Sequence, residues 1–139
     1  MTRRIRGSLI ACVPIVCIGV VALGAQGKPG GNPEALKLKN PVPATAESVA
    51  AGQVIYKRRC GACHGADGKG GPPKEDYLKA PPNLIDGSWD HGSSDGEIYW
   101  VIKNGVPPDL LMEGWDDRLS ETDMWNVVNF LRDLAQKNK

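Results

Sequence analysis

Charge of one sign is what this sequence most lacks. Its 139 residues carry 17 Lys and Arg against 16 Asp and Glu, a net charge of +1. A polyanion footprint needs a clustered basic excess, so no nucleic-acid partner is expected. Aromatic residues are also scarce. One phenylalanine, four tryptophans and three tyrosines are present, all between Tyr56 and Phe130. Four cysteines are too few and too unevenly placed for a disulfide framework. No stretch shows the alternation of a convincing β-strand, which leaves an α-helical chain as the expectation. Glycine (17) and proline (11) are plentiful and predict much irregular structure between the helices.

The first residues have the layout of an export segment. Arg3, Arg4 and Arg6 form a basic start, and no charged residue follows from Gly7 to Gly27. The run can serve as a cleaved signal or as a membrane anchor through residues 7–27. Either way, the basic start stays in the cytoplasm and the rest is exported. The expected product is periplasmic, soluble or tethered to the cytoplasmic membrane. Residues 1–25 are assigned to this segment. Residues 26–44 hold four prolines and three glycines and read as a semi-extended linker. A globular domain is expected over 45–139.

Three main short helices are legible in that domain. The first runs from Ala46 to Arg59 with Thr45 as its cap. Val49, Val54 and Ile55 supply its apolar side, extended by Tyr56. Gly52 interrupts it at a cost of about 1 kcal/mol, which suggests close approach of another helix. The second starts near Ser94, where Ser94-x-x-Glu97 forms a capping-box pattern, and stops at Gly105. The third starts at Ser120, with Asp123 in the reciprocal position. Met124, Val127, Val128, Leu131 and Leu134 recur at helical spacing, Phe130 widens that stripe and Trp125 flanks it.

The chemistry is concentrated in Cys60-Gly61-Ala62-Cys63-His64. Cys-x-x-Cys-His reads as covalent attachment of one c-type haem. Two thiols three residues apart can form thioethers with two vinyl groups on one porphyrin edge. The next residue then presents its imidazole to the iron. A closed zinc site needs four ligands, and only three cluster here. A dithiol redox pair would need a βαβ context that the sequence lacks. His91, Met112 and Met124 are the only other His or Met residues after the motif. Met124 belongs to the core stripe, and His91 sits in the polar loop Asp90-His91-Gly92. Met112 lies in an apolar loop between the second and third helices and is the expected second axial ligand, with His64 as the first.

Residues 45–139 resemble a class I cytochrome c of bacterial type. Gly52 and Tyr56 resemble its Gly-x-x-x-aromatic pair on the first helix, and Val127, Phe130 and Leu131 the surface that receives it. Gly71-Pro72 resembles a turn whose backbone carbonyl accepts a bond from the proximal histidine. By that resemblance Pro72, or its neighbour Pro73, would orient His64. Pro82-Asn83-Leu84 and Asp95-Gly96-Glu97 are similar to segments common in bacterial members. One departure stands out: many members place proline after the axial methionine, whereas here Glu113-Gly114-Trp115 follows Met112. The resemblance implies an all-α cytochrome c fold around one haem c, a cofactor held by Cys60, Cys63, His64 and Met112. It implies an electron carrier rather than an enzyme, with redox partner proteins such as respiratory or dehydrogenase complexes. A cytochrome subunit of a membrane oxidoreductase is an alternative. So is a haem peroxidase or gas-binding protein, should Met112 not bind iron. Lys57, Arg58, Arg59 and Lys69 are candidates for a basic patch that steers an acidic partner.

Overall fold

The computed structural model describes residues 31–73, 80–106 and 112–139. The export segment expected at 1–25 lies outside them. Helices α1 (Pro33–Leu36), α2 (Ala46–Arg59), α3 (Gly61–His64), α4 (Asp95–Asn104) and α5 (Glu121–Lys137) follow one another along the chain. Among the described residues the sole strand-like pairing is an isolated bridge between Gly105 and Glu113. No helix among them is long and apolar enough to cross a membrane.

The three longer helices begin where their caps dictate. The Thr45 side chain accepts from the Ser48 amide at the start of α2. Capping boxes open α4 at Ser94/Glu97 and α5 at Ser120/Asp123. Each satisfies amide donors that a helix start leaves unpaired.

Helix α5 is the centre of the domain. Eight consecutive residues, Met124 to Leu131, are buried, so it is enclosed by neighbours rather than resting one face on a core. Its main partner is α2, which crosses it at Gly52. A Cβ at Gly52 would collide with the Asn126 carbonyl oxygen and lie 2.5 Å from the Asn126 carbonyl carbon and 2.9 Å from Phe130 Cβ. Beside this crossing, Tyr56 packs on Phe130 with ring centroids 5.2 Å apart.

The crossing also buries a polar network that apolar periodicity does not reveal. Ser48 Oγ donates to Asn126 Oδ1 at 2.7 Å, and Asn129 Nδ2 donates to Ser48 Oγ at 2.8 Å. Asn40 Nδ2 donates to Asn129 Oδ1 at 2.8 Å. These buried groups are paired with one another, which offsets their desolvation.

Three expectations about packing change. Val54 is 55% exposed, because the face of α2 that meets α5 is Ser48, Gly52 and Tyr56 at four-residue spacing. Trp125 does not merely flank the core. It is 5% exposed and stacks on Tyr99 at 4.1 Å, nearly parallel. The linker expected over 26–44 is packed onto the domain from Asn32 onward. Asn32 caps α1, and Ala35 is buried. The Ala35 carbonyl lies against Gly96 of α4, and Asn129 donates to the Val42 carbonyl at 3.1 Å.

Candidate haem-attachment site

Cys60 ends α2 and begins α3. Its amide donates to the Tyr56 carbonyl at 2.8 Å. Its carbonyl accepts from the Cys63 and His64 amides at 3.1 and 3.0 Å. One helical turn therefore carries both cysteines and the histidine, with the thiols at i and i+3 on the same side. Both thiols are free and half-buried. Burial, reinforced by the neighbouring Cys63, pushes the Cys60 thiol up to about 11. A dithiol oxidoreductase depends on a depressed thiol pKa, so this environment is the opposite of what that chemistry needs.

The chain then turns back over the histidine. Gly65, Gly68 and Gly70 all have positive φ, and the Gly70 amide donates to the His64 carbonyl at 2.9 Å. Tyr56, fully buried on α2, donates its hydroxyl to the Gly65 carbonyl at 2.8 Å. Burial raises the Tyr56 pKa, with the nearby Cys60 and Asp67 adding to the effect, so the hydroxyl remains a donor. A Tyr56→Phe substitution keeps the ring against Phe130 and leaves the Gly65 carbonyl only the longer bond from the Gly68 amide, at 3.3 Å. The expected cost is about 1 kcal/mol of unfolding free energy, read from denaturant midpoints. A loss under about a tenth of that would show that the bond does not tie α2 to this loop.

His64 itself is buried on its Nδ1 side. No acceptor meets Nδ1 at hydrogen-bonding geometry among the described residues. Burial lowers the imidazole pKa, and the Pro82 backbone partly offsets that effect. The Leu84 amide donates to the Gly68 carbonyl at 2.7 Å, and Gly70 lies against the Pro81 carbonyl. Those contacts bring residues 81–84 over the His64 loop.

These features fit a haem c. A neutral imidazole leaves one ring nitrogen with a lone pair for iron, and two free thiols lie on the same helical turn.

Met112 is half-buried and packs against the hydrophobic core. Its carbonyl accepts from the Val106 amide at 2.9 Å. Gly105, at φ +74°, lies so close to the Met112 carbonyl that a side chain there has no room. The other two sulfur or imidazole candidates lie elsewhere. Met124 is 1% exposed within α5, as a core residue. His91 is exposed in the loop before α4. Lys57, Arg58 and Arg59 form the exposed last turn of α2, directly before Cys60.

A family model described as "Cytochrome C oxidase, cbb3-type, subunit III" matches residues 47–131. A cbb3-type cytochrome c oxidase subunit FixP of Bradyrhizobium sp. (strain ORS 278) is 33% identical over 86 residues, 62% of this chain and 27% of that protein. A subunit CcoP of Rhodobacter capsulatus is 32% identical over 98 residues, 67% of this chain and 31% of that protein. A thiosulfate dehydrogenase of Allochromatium vinosum is 32% identical over 83 residues, 58% of this chain and 29% of that protein. The chain thus spans between a quarter and a third of the length of these curated relatives. Among solved structures, a chain of the Kuenenia stuttgartiensis reducing HAO-like protein complex Kustc0457/Kustc0458 superposes with a TM-score of 0.57 at 26% identity. That match covers 73% of this chain and 49% of the other.

Proposed function

Because the chain belongs to the cbb3-type cytochrome c oxidase subunit III family of class I c-type cytochromes, we propose that it carries single electrons on one haem c, with His64 and Met112 as axial ligands. The all-α cytochrome c fold and an electron-transfer role follow from that membership. The observation that carries the haem assignment is the Cys60–His64 turn, which sets two free thiols and a half-buried imidazole on one helical turn.

When bound, the haem supplies an iron that alternates between ferrous and ferric states. Cys60 and Cys63 would hold it covalently. Pro82 would orient the His64 ring, as groups behind a metal ligand commonly do. Met112 would hold the iron together with His64, and its thioether would favour the reduced state and raise the potential. Tyr56 and the glycine-rich turn keep the motif rigid, which limits reorganisation when charge changes. The exposed Lys57-Arg58-Arg59 turn beside Cys60 would draw an acidic partner surface to this edge.

The partner is proposed to belong to a respiratory or dehydrogenase complex outside the cytoplasmic membrane. A second reading is supported by the names of the relatives, two of which are oxidase subunits: the chain works as a subunit of a membrane oxidoreductase. Copurification with oxidase subunits from a gently solubilised membrane would favour it over a free carrier.

The testing experiment is an absorption spectrum of the protein made with haem-attachment machinery, oxidised and then reduced. Sharp reduced bands and a weak far-red sulfur-to-iron band when oxidised are expected. A Met112→Ala protein should keep the covalent haem, lose the far-red band and bind carbon monoxide readily. Carbon monoxide binding equally fast in the unsubstituted protein would overturn Met112 ligation and support a gas-binding or peroxidase role.

A further inference from the structure

The backbone after Met112 has no proline ring to restrict it, yet the segment is held at several points by one side chain. The Arg118 Nη2 donates to the Gly114 carbonyl at 2.6 Å. Both terminal nitrogens donate to Glu113 Oε2 at 3.2 Å, and Nε donates to Asp117 Oδ1 at 3.1 Å. The guanidinium carbon sits 4.4 Å from the centre of the Trp115 ring. One planar group therefore grips the three residues that directly follow Met112.

We propose that Arg118 is a positioning residue that clamps the Met112 loop and keeps its sulfur available to the iron. The inference rests on Met112 being the second axial ligand. The anchor behind the clamp is firm. The Trp115 amide donates to the Ile102 and Lys103 carbonyls at 3.0 and 3.1 Å, which ties the segment to the last turn of α4. The Trp115 side chain packs against the core. Arg118 then bridges from this fixed tryptophan back to Glu113 and Gly114. The Gly105–Glu113 bridge and the Val106–Met112 bond complete the closure on the other side.

The contacts differ in weight. Glu113 and Asp117 are 70% and 73% exposed, so those ion pairs are weak and sensitive to salt. The charge-assisted bond to the Gly114 carbonyl and the stacking on Trp115 do most of the holding. Lysine can reproduce these only in part, because it lacks the planar fork that holds the carbonyl and the ring at once.

The experiment compares four holoproteins: unsubstituted, Arg118→Lys, Arg118→Ala and Met112→Ala. The readouts are the oxidised far-red band, the rate of carbon monoxide binding to the reduced form, and the thermal midpoint. Arg118→Ala is expected to weaken the band and to speed carbon monoxide binding about tenfold, as the transiently open loop becomes more populated. Arg118→Lys should fall between it and the unsubstituted protein. Should Arg118→Ala fail to incorporate haem, Arg118→Lys carries the same comparison. Band and binding rate unchanged in Arg118→Lys and in every haem-loaded Arg118 variant, with only the midpoint lowered, would overturn the clamp and leave Met112 ligation standing. An unsubstituted protein that behaves as Met112→Ala does would overturn the ligation reading and the clamp with it.

Discussion

A Cys60→Ala, Cys63→Ala protein is expected to lose its cooperative thermal transition, not merely its colour. The reason lies in how unevenly the chain supplies its own core. The buried apolar residues are Ala35, Tyr56, Leu84 and nine side chains of α4 and α5. Among the described residues between Gly61 and Ser93, Leu84 is the one fully buried apolar side chain, and Trp89 packs half-buried against the core. A segment of this length must offset roughly 1–2 kcal/mol of backbone entropy per ordered residue. One buried leucine, worth about 2 kcal/mol, and one half-buried tryptophan cannot do so. A covalently held porphyrin supplies the missing apolar surface, and its binding energy then becomes folding energy. The expected outcome has two parts. Helical circular dichroism should persist in part, because α2 and α5 meet through Gly52, Tyr56 and Phe130. Amides of residues 61–73 and 80–93 should exchange without protection, while those of α5 stay the slowest. A double variant that melts as sharply as the unsubstituted protein, with protected loop amides, would show that the polypeptide folds without the group.

The sequence showed its helices well and its surroundings poorly, for a physical reason in each case. The bounds of α2, α4 and α5 are set by local chemistry, namely the Thr45 cap, two capping boxes and the Gly105 stop, so short-range reading suffices. The Cys60–His64 motif is equally local. What escaped depends on contacts distant in the chain. Asn40, Ser48, Asn126 and Asn129 read as ordinary polar positions until the helices cross and bury them against one another. The approach of residues 81–84 to the His64 loop is likewise set by distant contacts, the Leu84 amide on the Gly68 carbonyl among them. The stretch around α1 has the composition of a linker. Ala35 becomes a buried contact because Gly96 leaves room for its carbonyl. Arg118 carries no signal in the sequence, because nothing local sets its side chain over Trp115.

Gly52→Ala should invert the usual effect of that substitution. In an exposed helical position, replacing glycine with alanine stabilises by about 1 kcal/mol. Here the added methyl would meet the backbone carbonyl of Asn126 and the Cβ of Phe130. Neither can rotate away, since one is main chain and the other sits at the root of its side chain. The two helices must therefore separate. Separation loosens Tyr56 against Phe130 and stretches the Ser48–Asn126 bond. Overpacking of this kind costs about 3 kcal/mol or more when backbone has to move. Offset by the propensity gain of about 1 kcal/mol, the net loss of about 2 kcal/mol or more should lower the thermal midpoint on the order of 10 °C. Ala51→Gly, one residue earlier on the exposed side of α2, is the control and should cost only about 1 kcal/mol. The damage should also reach the site, because Tyr56 holds the Gly65 carbonyl beside His64. A weaker far-red band in Gly52→Ala than in Ala51→Gly would show that the helix crossing sets the geometry of the haem-binding turn. A Gly52→Ala protein as stable as the unsubstituted one would mean that α2 and α5 can part without loss, which the buried Ser48, Asn126 and Asn129 network argues against.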